Sequence, residues 1–482
     1  MTENWVNLAA RIGADLHLDL PDVGGRRAAL TRALREAVCS GRLAPGTRLP
    51  PYRSLAADLG LARNTVADAY AELVAEGWLT ARQGSGTRVA LGAQQPPPAR
   101  STPRPSADPS PRAVHDLRQG QPDAASFPRA AWLASARRAV TAAPSEAFGP
   151  GDPRGRPELR RALAAYLART RGVRTDADHI VVCSGFAHAL RLLFGGGVLH
   201  GPLAVEGYGL PFHRALLKQT STRTRPLTVD GDGARIDELS KTDRAVLLTP
   251  AHQFPTGGPL HSRRRTSVVE WATASNGLII EDDYDGEFRY DRQPVGAVQG
   301  LAPDRVLYIG SASKSLSPAI RLGWMVLPDH LVDDVLTAKG EREAWAGVTD
   351  QLTLGDFLDS GSYDRHVRRM RQRYRARRDR FVTALAEHAP HVRTTGIAAG
   401  LHAVLRLPPG TEPATLQAAT RAGVAVDALS TFRHPAARLP PQDGLVVGYA
   451  TPPNHAFEAA VQALVGVLQQ PEVSRRRGAG SL

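Results

Sequence analysis

Apolar residues in the first part of the chain recur at the spacing of short helices. Between Arg26 and Ser40, the positions Leu30, Leu34 and Val38 share one helix face. Glycines close two of these stretches, as expected at helix ends. The pattern predicts helices over residues 26–40 and 53–59, and a third beginning near Arg63. Two short helices joined by a tight turn at Gly60 are typical of a helix-turn-helix.

A strand pattern follows the third predicted helix. Residues 77–80 read as a strand, residues 83–86 as a Gly-rich turn, and residues 87–90 as the returning strand. A hairpin placed directly after a helix-turn-helix is the wing of a winged helix. We therefore predict a winged helix-turn-helix domain over residues 1–90.

From residue 113 onward, helical stretches alternate with short apolar runs. The predicted helices are residues 156–170, 187–193, 211–219 and 263–275. The predicted strands are residues 180–183, 203–205, 245–248, 278–280, 306–309 and 323–327. This alternation predicts an α/β domain over residues 113–470 with a mostly parallel central sheet. Functional side chains of such sheets lie at the carboxyl ends of the strands.

The two predicted domains are separated by residues 91–112, which contain seven prolines and lack an apolar period. Such a segment stays extended and acts as a semi-rigid linker. The last twelve residues, 471–482, include three consecutive arginines, and we expect a disordered basic tail there.

Composition narrows the class of protein. The chain has 482 residues, 42% of them apolar, and no apolar run long enough to span a membrane. The first residues lack a secretory signal, so we expect a cytoplasmic protein. Cys39 and Cys183, the two cysteines, favour neither a disulfide framework nor a metal site.

The net charge of +13 suggests an acidic partner such as nucleic acid. Residues 1–90 carry eleven arginines against nine acidic residues, so most of the excess lies elsewhere. The densest cluster is residues 365–380, with nine arginines at helical spacing. We interpret this cluster mainly as a solvated helix face, with a direct nucleic-acid role as the alternative.

Lys314 stands out because the chain contains only four lysines. It lies in a Ser-rich turn directly after an apolar strand. A lysine amine can lose its proton and form a Schiff base with a carbonyl, whereas an arginine cannot. The alternative is that Lys314 has no chemical role and lies in a solvated loop after an ordinary strand.

The neighbouring residues are the types that pyridoxal phosphate requires. These are a carboxylate for the pyridine nitrogen, a phenol near the ring oxygen, and hydroxyls with an arginine for the phosphate. Asp282, Tyr284, Ser311, Ser313 and Arg321 supply them. Backbone amides at the helix start of Gly185, Phe186 and Ala187 would add phosphate donors.

At the start of the third helix, Arg63, Asn64 and Thr65 are types that read base edges or bind phosphate in the major groove. With Gly41 to Gly46, Leu49-Pro50, Leu59-Gly60 and Glu76-Gly77, they make the segment closely similar to the GntR-type winged helix. The resemblance implies further DNA contacts from Arg48, Arg53, Tyr70, Arg82, Gly84, Ser85, Gly86 and Thr87. One departure is Ala62, where the family usually has a serine N-cap.

The larger domain resembles the fold-type I aminotransferases through Asp152 to Gly155, Ser184-Gly185, Glu206, residues 250–257, residues 281–285 and residues 311–323. Joined to a GntR-type winged helix, the chain resembles the MocR/GabR-type transcriptional regulators. By this resemblance Lys314 forms the internal aldimine, Asp282 pairs with the pyridine nitrogen, and Tyr284 bonds the ring oxygen. Ser311, Ser313 and Arg321 would hold the phosphate.

Three departures from the aminotransferases bear on function. Phe254 replaces the usual asparagine, so its contact to the ring oxygen is lost or moved to His252. Leu210 stands where the stacking aromatic is expected, leaving Tyr208 or Phe212 as candidates. The carboxyl-terminal arginine that clamps an amino-acid carboxylate is not evident, with Arg433 and Arg438 as loose candidates. A weak clamp favours pyridoxal phosphate itself as the signal.

The resulting hypothesis is a DNA-binding, pyridoxal phosphate-dependent transcriptional regulator. The resemblance implies a head-to-tail, domain-swapped homodimer. In it the state of Lys314 would be coupled to operator binding, with control of vitamin B6 synthesis or salvage as the preferred pathway. A regulator of amine or amino-acid metabolism, such as γ-aminobutyrate or taurine use, is the close alternative. An aminotransferase that carries a DNA-binding domain is a second, and a nonspecific DNA binder a third.

Overall fold

The computed structural model describes residues 25–82, 86–92, 114–290, 295–340, 346–438 and 442–470. These residues form two compact units, a small one over residues 25–92 and a large one over residues 114–470. Predictions for residues 1–24, for most of the linker and for the basic tail lie outside the described residues.

The small unit has three helices followed by a two-stranded hairpin. The elements are α1 (Arg26–Cys39), α2 (Tyr52–Asp58), α3 (Arg63–Ala75), β1 (Leu79–Arg82) and β2 (Gly86–Val89). The strands pair antiparallel, with Leu79 opposite Val89. Leu30, Leu34, Val66 and Leu73 are fully buried between the helices. The predicted winged helix is confirmed, although the hairpin strands begin one or two residues away from the predicted positions.

The third helix starts without a side-chain cap. Ala62 holds the N-cap position and its methyl group offers no acceptor to the first amides of α3. Arg35 of α1 forms a two-pronged bond to Glu76 just after α3 ends, which ties the far end of α3 to the bundle. The amino-terminal end of α3 is therefore the less secured end.

The large unit contains the remaining elements. Its helices are α4 (Arg129–Ala142), α5 (Pro157–Arg171), α6 (Phe186–Leu190), α7 (Pro211–Gln219), α8 (Ser262–Ser275), α9 (Asp329–Lys339), α10 (Val348–Asp359), α11 (Ser362–His388), α12 (Glu412–Arg421), α13 (Leu429–Phe432) and α14 (Phe457–Leu468). Its strands are β3 (His115–Asp116), β4 (Ile180–Cys183), β5 (Leu203–Glu206), β6 (Thr224–Leu227), β7 (Val229–Asp230), β8 (Gly233–Ala234), β9 (Ala245–Leu248), β10 (Leu278–Asp282), β11 (Val306–Ser311), β12 (Gly323–Val326), β13 (Arg393–Thr395), β14 (Ala403–Arg406), β15 (Val424–Ala425), β16 (Asp427–Ala428) and β17 (Gly444–Val447).

A seven-stranded sheet forms the centre of the large unit. The strand order is β4-β12-β11-β10-β9-β5-β6. Its members are parallel except for β12, which runs antiparallel to both β11 and β4. Helices cover both faces, and the strands are accordingly buried on both sides. The expectation of a mostly parallel sheet is confirmed.

A smaller antiparallel sheet, in the order β13-β14-β17-β16, carries a second core with α11, α12 and α14. Beside it, β3 pairs in parallel with β15, so that His115 lies opposite Val424. The segment that follows the linker in sequence therefore enters the large unit next to the carboxyl-terminal part of the chain.

Within the described ranges, no helix has the length and apolarity needed to cross a membrane. The same residues contain no group of three or more His, Cys, Asp or Glu arranged to hold a metal ion. Both cysteines are free, Cys39 exposed and Cys183 buried.

Candidate functional site

A cavity of about 300 Å³ lies at the carboxyl ends of the parallel strands in the large unit. Its volume is at the lower end of the range for cavities that hold small ligands. The predicted cofactor residues on its wall are Gly185, Phe186, Ala187, Asp282, Tyr284, Ser311, Ser313, Lys314 and Arg321. The structure thus brings together nine residues from four separate parts of the sequence.

Strand register explains this convergence. In the parallel pair of β10 and β11, Asp282 lies beside Ile309. The end of β10 and the turn after β11 therefore reach the same edge of the sheet. The antiparallel β12 begins at that edge with Gly323 opposite Ser311, which brings Arg321 close to the turn.

Lys314 projects from the turn after β11 into the cavity. Burial lowers the pKa of its amine, while the carboxylates of Asp285 and Asp282 act in the opposite direction. Its Nζ donates a hydrogen bond to the backbone carbonyl of Gly120. A buried amine with a lowered pKa is a better nucleophile at neutral pH than an exposed lysine.

Asp282 faces the same space. Burial raises the pKa of its carboxyl well above the usual range, the charge of Asp283 adds to this, and Lys314 opposes it. Asp283 itself is directed away from the cavity and forms a buried two-pronged ion pair with Arg171. A carboxyl in the position of Asp282 stays ionised best beside a cation, such as a protonated ring nitrogen.

The phosphate-binding end of the predicted site is built by close backbone packing. A Cβ at Gly323 would lie 2.7 Å from the Cα of Gly185, so only glycine lets β12 approach the start of α6 this closely. The backbone amide of Ser184 donates to His188 Nδ1 over 3.1 Å, which fixes the turn before α6. The arrangement leaves the amides at this helix start and the Arg321 guanidinium on the cavity wall.

His252 occupies a different place from the one predicted. It lies behind Tyr284 and is not among the described residues of the cavity wall. Its Nδ1 is 2.9 Å from the Tyr284 hydroxyl and 2.8 Å from Asp285 Oδ2. His252 therefore contacts the phenol that faces the cavity, and not the cavity itself.

The aromatic residues near the cavity include one that the sequence patterns did not suggest. Tyr208, Leu210 and Phe212 all reach the wall, but Phe212 is 58% exposed. His213 also lies on the wall, with its ring centroid 4.7 Å from that of Phe186. Burial, followed by the charge of Lys314, lowers the pKa of His213 to about 4, so its ring is neutral at physiological pH.

Phe254 and His402 close the cavity from another side. Phe254 is buried and packs edge-on against the rings of Tyr284, His402 and Phe432. His402 bonds the Pro255 carbonyl through Nε2. This side of the wall is mainly apolar, in contrast to the polar end around Lys314.

A second set of wall residues comes from the segment that follows the linker. Gln119 and Gly120 line the cavity. No motif marks these residues in the sequence, and they lie almost two hundred positions before Lys314. Long-range packing alone brings them to the site.

Two arginines near the site, Arg214 and Arg433, donate hydrogen bonds to backbone carbonyls. Arg214 lines the cavity, but its guanidinium donates to the carbonyls of Gly209, Phe432 and Thr431. Arg433 and Arg438, the candidates for a carboxylate clamp, line a separate small cavity. Among the described residues of the main cavity wall, the arginines are thus Arg214 and Arg321.

The predicted DNA-contacting residues form a surface on the small unit. Arg63, Asn64 and Thr65 lie at the start of α3 with their side chains exposed or half-buried. Arg48, Arg53, Arg82, Gly86 and Thr87 are exposed or half-buried as well, while Gly84 and Ser85 lie outside the described residues.

Tyr70 does not belong to this surface. It is 5% exposed, and its hydroxyl donates to the Pro50 carbonyl over 3.0 Å. Burial also raises the pKa of its phenol. Position 70 falls on the inner face of α3, four residues after the buried Val66, so this candidate contact was wrong and Tyr70 is a core residue.

Family models match both units. Residues 27–89 match the model of bacterial regulatory proteins of the gntR family, and residues 112–464 match the model of aminotransferase class I and II. The second match covers most of the chain and agrees with the position of the cavity at the ends of the parallel strands.

Individual proteins are similar to most of the chain. The HTH-type pyridoxine biosynthesis transcriptional regulator PdxR of Corynebacterium glutamicum is 33% identical, over 78% of this chain and 82% of that protein. The probable rhizopine catabolism regulatory protein MocR of Rhizobium meliloti is 32% identical, over 87% and 89%. An archaeal alanine:glyoxylate aminotransferase structure shares the fold of the large unit with a TM-score of 0.67 and 23% identity, covering 74% of this chain and 91% of that one.

Proposed function

The chain belongs to the MocR/GabR type of GntR-family transcriptional regulators, and from this premise we propose that it is a sensor of pyridoxal phosphate that acts on DNA. The observation that carries the proposal is the presence, on one chain, of a gntR-family winged helix and a cavity with a buried lysine whose pKa is lowered. Pyridoxal phosphate is the cofactor of the aminotransferase-like domain.

The residues on the cavity wall fit this cofactor. Asp282 would pair with the ring nitrogen, Tyr284 would bond the ring oxygen, and Lys314 would bind the aldehyde carbon. Lys314 would supply the primary amine that bonds this carbon, and a lowered pKa would keep that amine available in its unprotonated form. When bound, the cofactor supplies an electron-withdrawing ring and a visible chromophore.

The phosphate group would lie at the other end of the cavity. Ser311, Ser313, Arg321 and the amides of residues 185–187 lie on that part of the wall. This set combines a guanidinium, hydroxyls and a helix start, all of which bind phosphate dianions. Gly323 supports the arrangement, because a side chain there would collide with Gly185.

We propose that the covalent state of Lys314 is transmitted through residues 114–126. Gly120 accepts a hydrogen bond from Lys314, and Gly120 lies shortly after the predicted linker that joins the two units. A Lys314 amine that holds the cofactor would have fewer hydrogens to donate, so its hydrogen bond to Gly120 would change when the cofactor binds. The change would alter how firmly the segment after the linker is held.

The other end of this segment is firmly anchored, which supports its role as a transmitter. Asp123 is 2% exposed and pairs with Arg373 at 2.9 Å and with Arg377 at 3.3 Å. Arg377 also donates to the Ala450 carbonyl over 3.0 Å. The stretch between the linker and Gly120 is itself held through β3, which pairs with β15, so a change at Gly120 would reach the linker through this strand.

For the pathway, we propose control of vitamin B6 synthesis or salvage. Support comes from the similarity to the pyridoxine biosynthesis regulator of Corynebacterium glutamicum. The nearly equal similarity to a rhizopine catabolism regulator keeps control of an amine or amino-acid pathway, such as γ-aminobutyrate or taurine use, as the second candidate.

We further propose that the chain acts in the cytoplasm as a head-to-tail homodimer that binds two half-sites of a double-stranded operator. A winged helix reads only a few base pairs, and two copies at fixed spacing supply the rest of the specificity. Sedimentation of the full chain with and without DNA would test the dimer.

The central test measures operator affinity against pyridoxal phosphate. The full chain first selects its operator from a random DNA pool, and binding to that DNA is then titrated with cofactor. We expect the affinity of the wild type to change at least about fivefold, the lower range of allosteric coupling. We expect Lys314→Ala to lose the response, and Lys218→Ala, at an exposed lysine, to keep it. An unchanged response in Lys314→Ala would refute the proposal.

A second experiment separates the alternatives. The same DNA titration is repeated with a panel of primary amines and amino acids at constant cofactor concentration. A response to an amine alone would favour the amine-pathway regulator. Conversion of the bound cofactor to its amine form, followed by recovery with a keto acid, would show instead a working aminotransferase.

A further inference from the structure

We propose that a second cavity in the large unit binds a small polyanion, such as a phosphate ester or a polycarboxylate with at least two negative charges. This second cavity has a volume of about 510 Å³, within the range of cavities that hold small ligands. Its described wall shares no residue with the wall of the main cavity, so the site goes beyond the proposed cofactor function.

Three parts of the large unit form the wall of the second cavity. They are the end of α5, the segment that follows β10 and the first half of α11. Each part contributes arginines to the wall, and these are Arg169, Arg171, Arg289, Arg368 and Arg371. Arg368 and Arg371 belong to the arginine cluster of residues 365–380. They are three positions apart on α11, so both lie on the helix face that borders the cavity.

The two arginines of α5 are neutralised by carboxylates. Arg171 forms the buried ion pair with Asp283, and Arg169 pairs with Asp364 over 2.7 Å. These pairs join α5 to the segment after β10 and to α11. They build the wall and leave little charge for a ligand.

The two arginines of α11 keep their charges available. Both side chains are exposed, and within the described part of the chain neither Arg368 nor Arg371 forms an ion pair. The Nε atom of Arg371 donates to the backbone carbonyl of Glu287 over 2.9 Å, which holds this side chain against the wall. Neighbouring guanidinium groups of this kind bind phosphate and carboxylate groups, often through two parallel hydrogen bonds.

The remaining carboxyl of the described wall, that of Glu287, offsets this positive charge only in part. Burial, followed by the charge of Asp283, raises the pKa of Glu287 to about 7, although Arg171 acts in the opposite direction. At neutral pH the carboxyl is therefore protonated in about half of the molecules. Its Oε1 atom lies 3.1 Å from Tyr363 Oη, which holds it in the wall. The second cavity thus keeps a net positive charge.

The segment after β10 is held at several points, so the second cavity exists before a ligand binds. The backbone amide of Tyr290 donates to the Ala398 carbonyl over 2.9 Å, and its hydroxyl donates to the Gly400 carbonyl. Gly400 lies directly against two further side chains: a Cβ there would be 2.3 Å from His252 Cε1 and 2.6 Å from Asp285 Oδ2. A preformed site of this kind loses less free energy on binding than one that must first be ordered.

The shape of the second cavity favours a small molecule over DNA. Arg171 and Tyr290 line it with exposures of only 4% and 6%, so its inner part is recessed below the surface. A DNA duplex would reach only the exposed Arg368 and Arg371 and could not fill the space behind them. We therefore expect a ligand of metabolite size.

The test measures the binding of pyrophosphate and of citrate to the full chain by isothermal titration calorimetry. The chain is first loaded with pyridoxal phosphate, and the excess is removed. We expect saturable binding to the wild type, and a loss of affinity of at least about tenfold in Arg368→Ala and in Arg371→Ala, because each variant removes a charged hydrogen-bond donor. Whichever probe binds more tightly identifies the charged group of the ligand.

The variant Arg380→Ala is the matched control. Arg380 lies nine positions after Arg371, on the opposite face of α11, and its side chain is 67% exposed. It removes the same charge, and we expect its affinity to stay within about twofold of the wild type. Arg368 has an exposed side chain, so Arg368→Ala decides the matter even if Arg371→Ala fails to fold.

Four results would overturn the proposed anion site. They are the absence of saturable binding, unchanged affinity in Arg368→Ala, an equal loss in Arg380→Ala, and displacement of pyrophosphate by a short DNA duplex. The third would indicate attraction to the overall charge alone, and the fourth a contact to DNA. None of them bears on the cofactor response at Lys314, which is measured separately.

Discussion

Glu206 lies at the end of β5, with its carboxyl buried beside the cavity. It accepts hydrogen bonds from Thr249 and Gln253. Burial raises its pKa to about 7, against a usual value of 4.5, although those hydrogen bonds act in the opposite direction. The folded protein thus holds a proton that the unfolded chain releases. Because the folded state binds more protons between pH 4.5 and 7, the stability contribution of Glu206 falls as the pH rises through that range.

The substitution Glu206→Gln should remove the loss of stability that accompanies rising pH. Glutamine keeps a carbonyl acceptor for Thr249 and cannot ionise. At pH 5 we expect the variant to match the wild type, and at pH 8 we expect it to be more stable by on the order of 2 kcal/mol. Thermal unfolding of both proteins at the two pH values tests this, and an equal difference at both values would contradict it.

The site residues that could be predicted are those whose neighbours in the sequence already indicate their place in the fold. Lys314, Asp282 and Tyr284 follow apolar strands directly, so their place at a sheet edge could be read from the chain. Gln119 and Gly120 reach the cavity only through tertiary packing, and His213 follows the expected stacking position by three residues. His252 was assigned to the cavity because sequence order cannot show that Tyr284 stands in front of it.

Helix α11 changes the interpretation of the arginine cluster. Six of the nine arginines are exposed, as a solvated face requires, but Arg377 is 3% exposed and faces Asp123. Its guanidinium also lies 5.1 Å from the ring centroid of Phe457. Periodicity identified the helix, whereas the inward direction of one arginine depends on a partner more than two hundred residues away.

Arg377→Ala should therefore destabilise the large unit. Removing one partner of a buried ion pair leaves the other charge poorly compensated, and Arg373 restores only part of the interaction. We expect a loss of about 3 kcal/mol in the free energy of unfolding, measured by denaturant titration. Arg375→Ala, at a side chain 58% exposed, is the control and should change it by less than about 0.5 kcal/mol.

A substitution at the start of helix α3 should raise the stability of the small unit. Ala62 occupies the N-cap without an acceptor, so Ala62→Ser should supply one to the free amides of the first turn. We expect the small unit to gain about 1 kcal/mol in stability. The unfolding of this unit in the full chain can be followed by amide hydrogen exchange at its buried residues, such as Leu73. Ala57→Ser, at an exposed position inside α2, should instead cost a few tenths of a kcal/mol.

Element boundaries were less predictable than element types. The first three helices and the hairpin were expected from their apolar spacing, and each is present. Helix α6 ends at Leu190 and continues as one π-helical turn to Gly195, a change that the apolar pattern does not reveal. Helices α4, α9, α10, α12, α13 and α14 were not predicted. In α4, a buried polar residue, Ser135, and an exposed apolar one, Leu133, blur the periodicity.

For the whole molecule, most of the excess positive charge and the residues proposed to read DNA lie in different parts of the sequence. The net charge is +13, yet the first ninety residues hold nearly balanced charges. We therefore expect a few side chains at the start of α3 to read the DNA sequence, without a contribution from the net positive charge of the rest of the chain. Specific binding and nonspecific attraction can then be separated by mutation.

Arg63→Ala should weaken binding to the selected operator by about 2 kcal/mol and relax the preference at one base position, as expected for an arginine that contacts a base edge. Arg375→Ala, on the exposed face of α11, should leave operator affinity and its salt dependence unchanged. Fluorescence anisotropy at several salt concentrations measures both. A larger loss in Arg375→Ala than in Arg63→Ala would move the DNA contact to the arginine helix.

The crowding around Gly400 also has a consequence for the evolution of this molecule. Any side chain at position 400 would overlap His252 and Asp285, so a substitution becomes tolerable only after the imidazole has been replaced by something smaller. Positions 252 and 400 should therefore covary among related chains, with larger residues at 400 confined to lineages that have lost the histidine. A survey of relatives that found bulky residues at 400 alongside an intact His252 would contradict this.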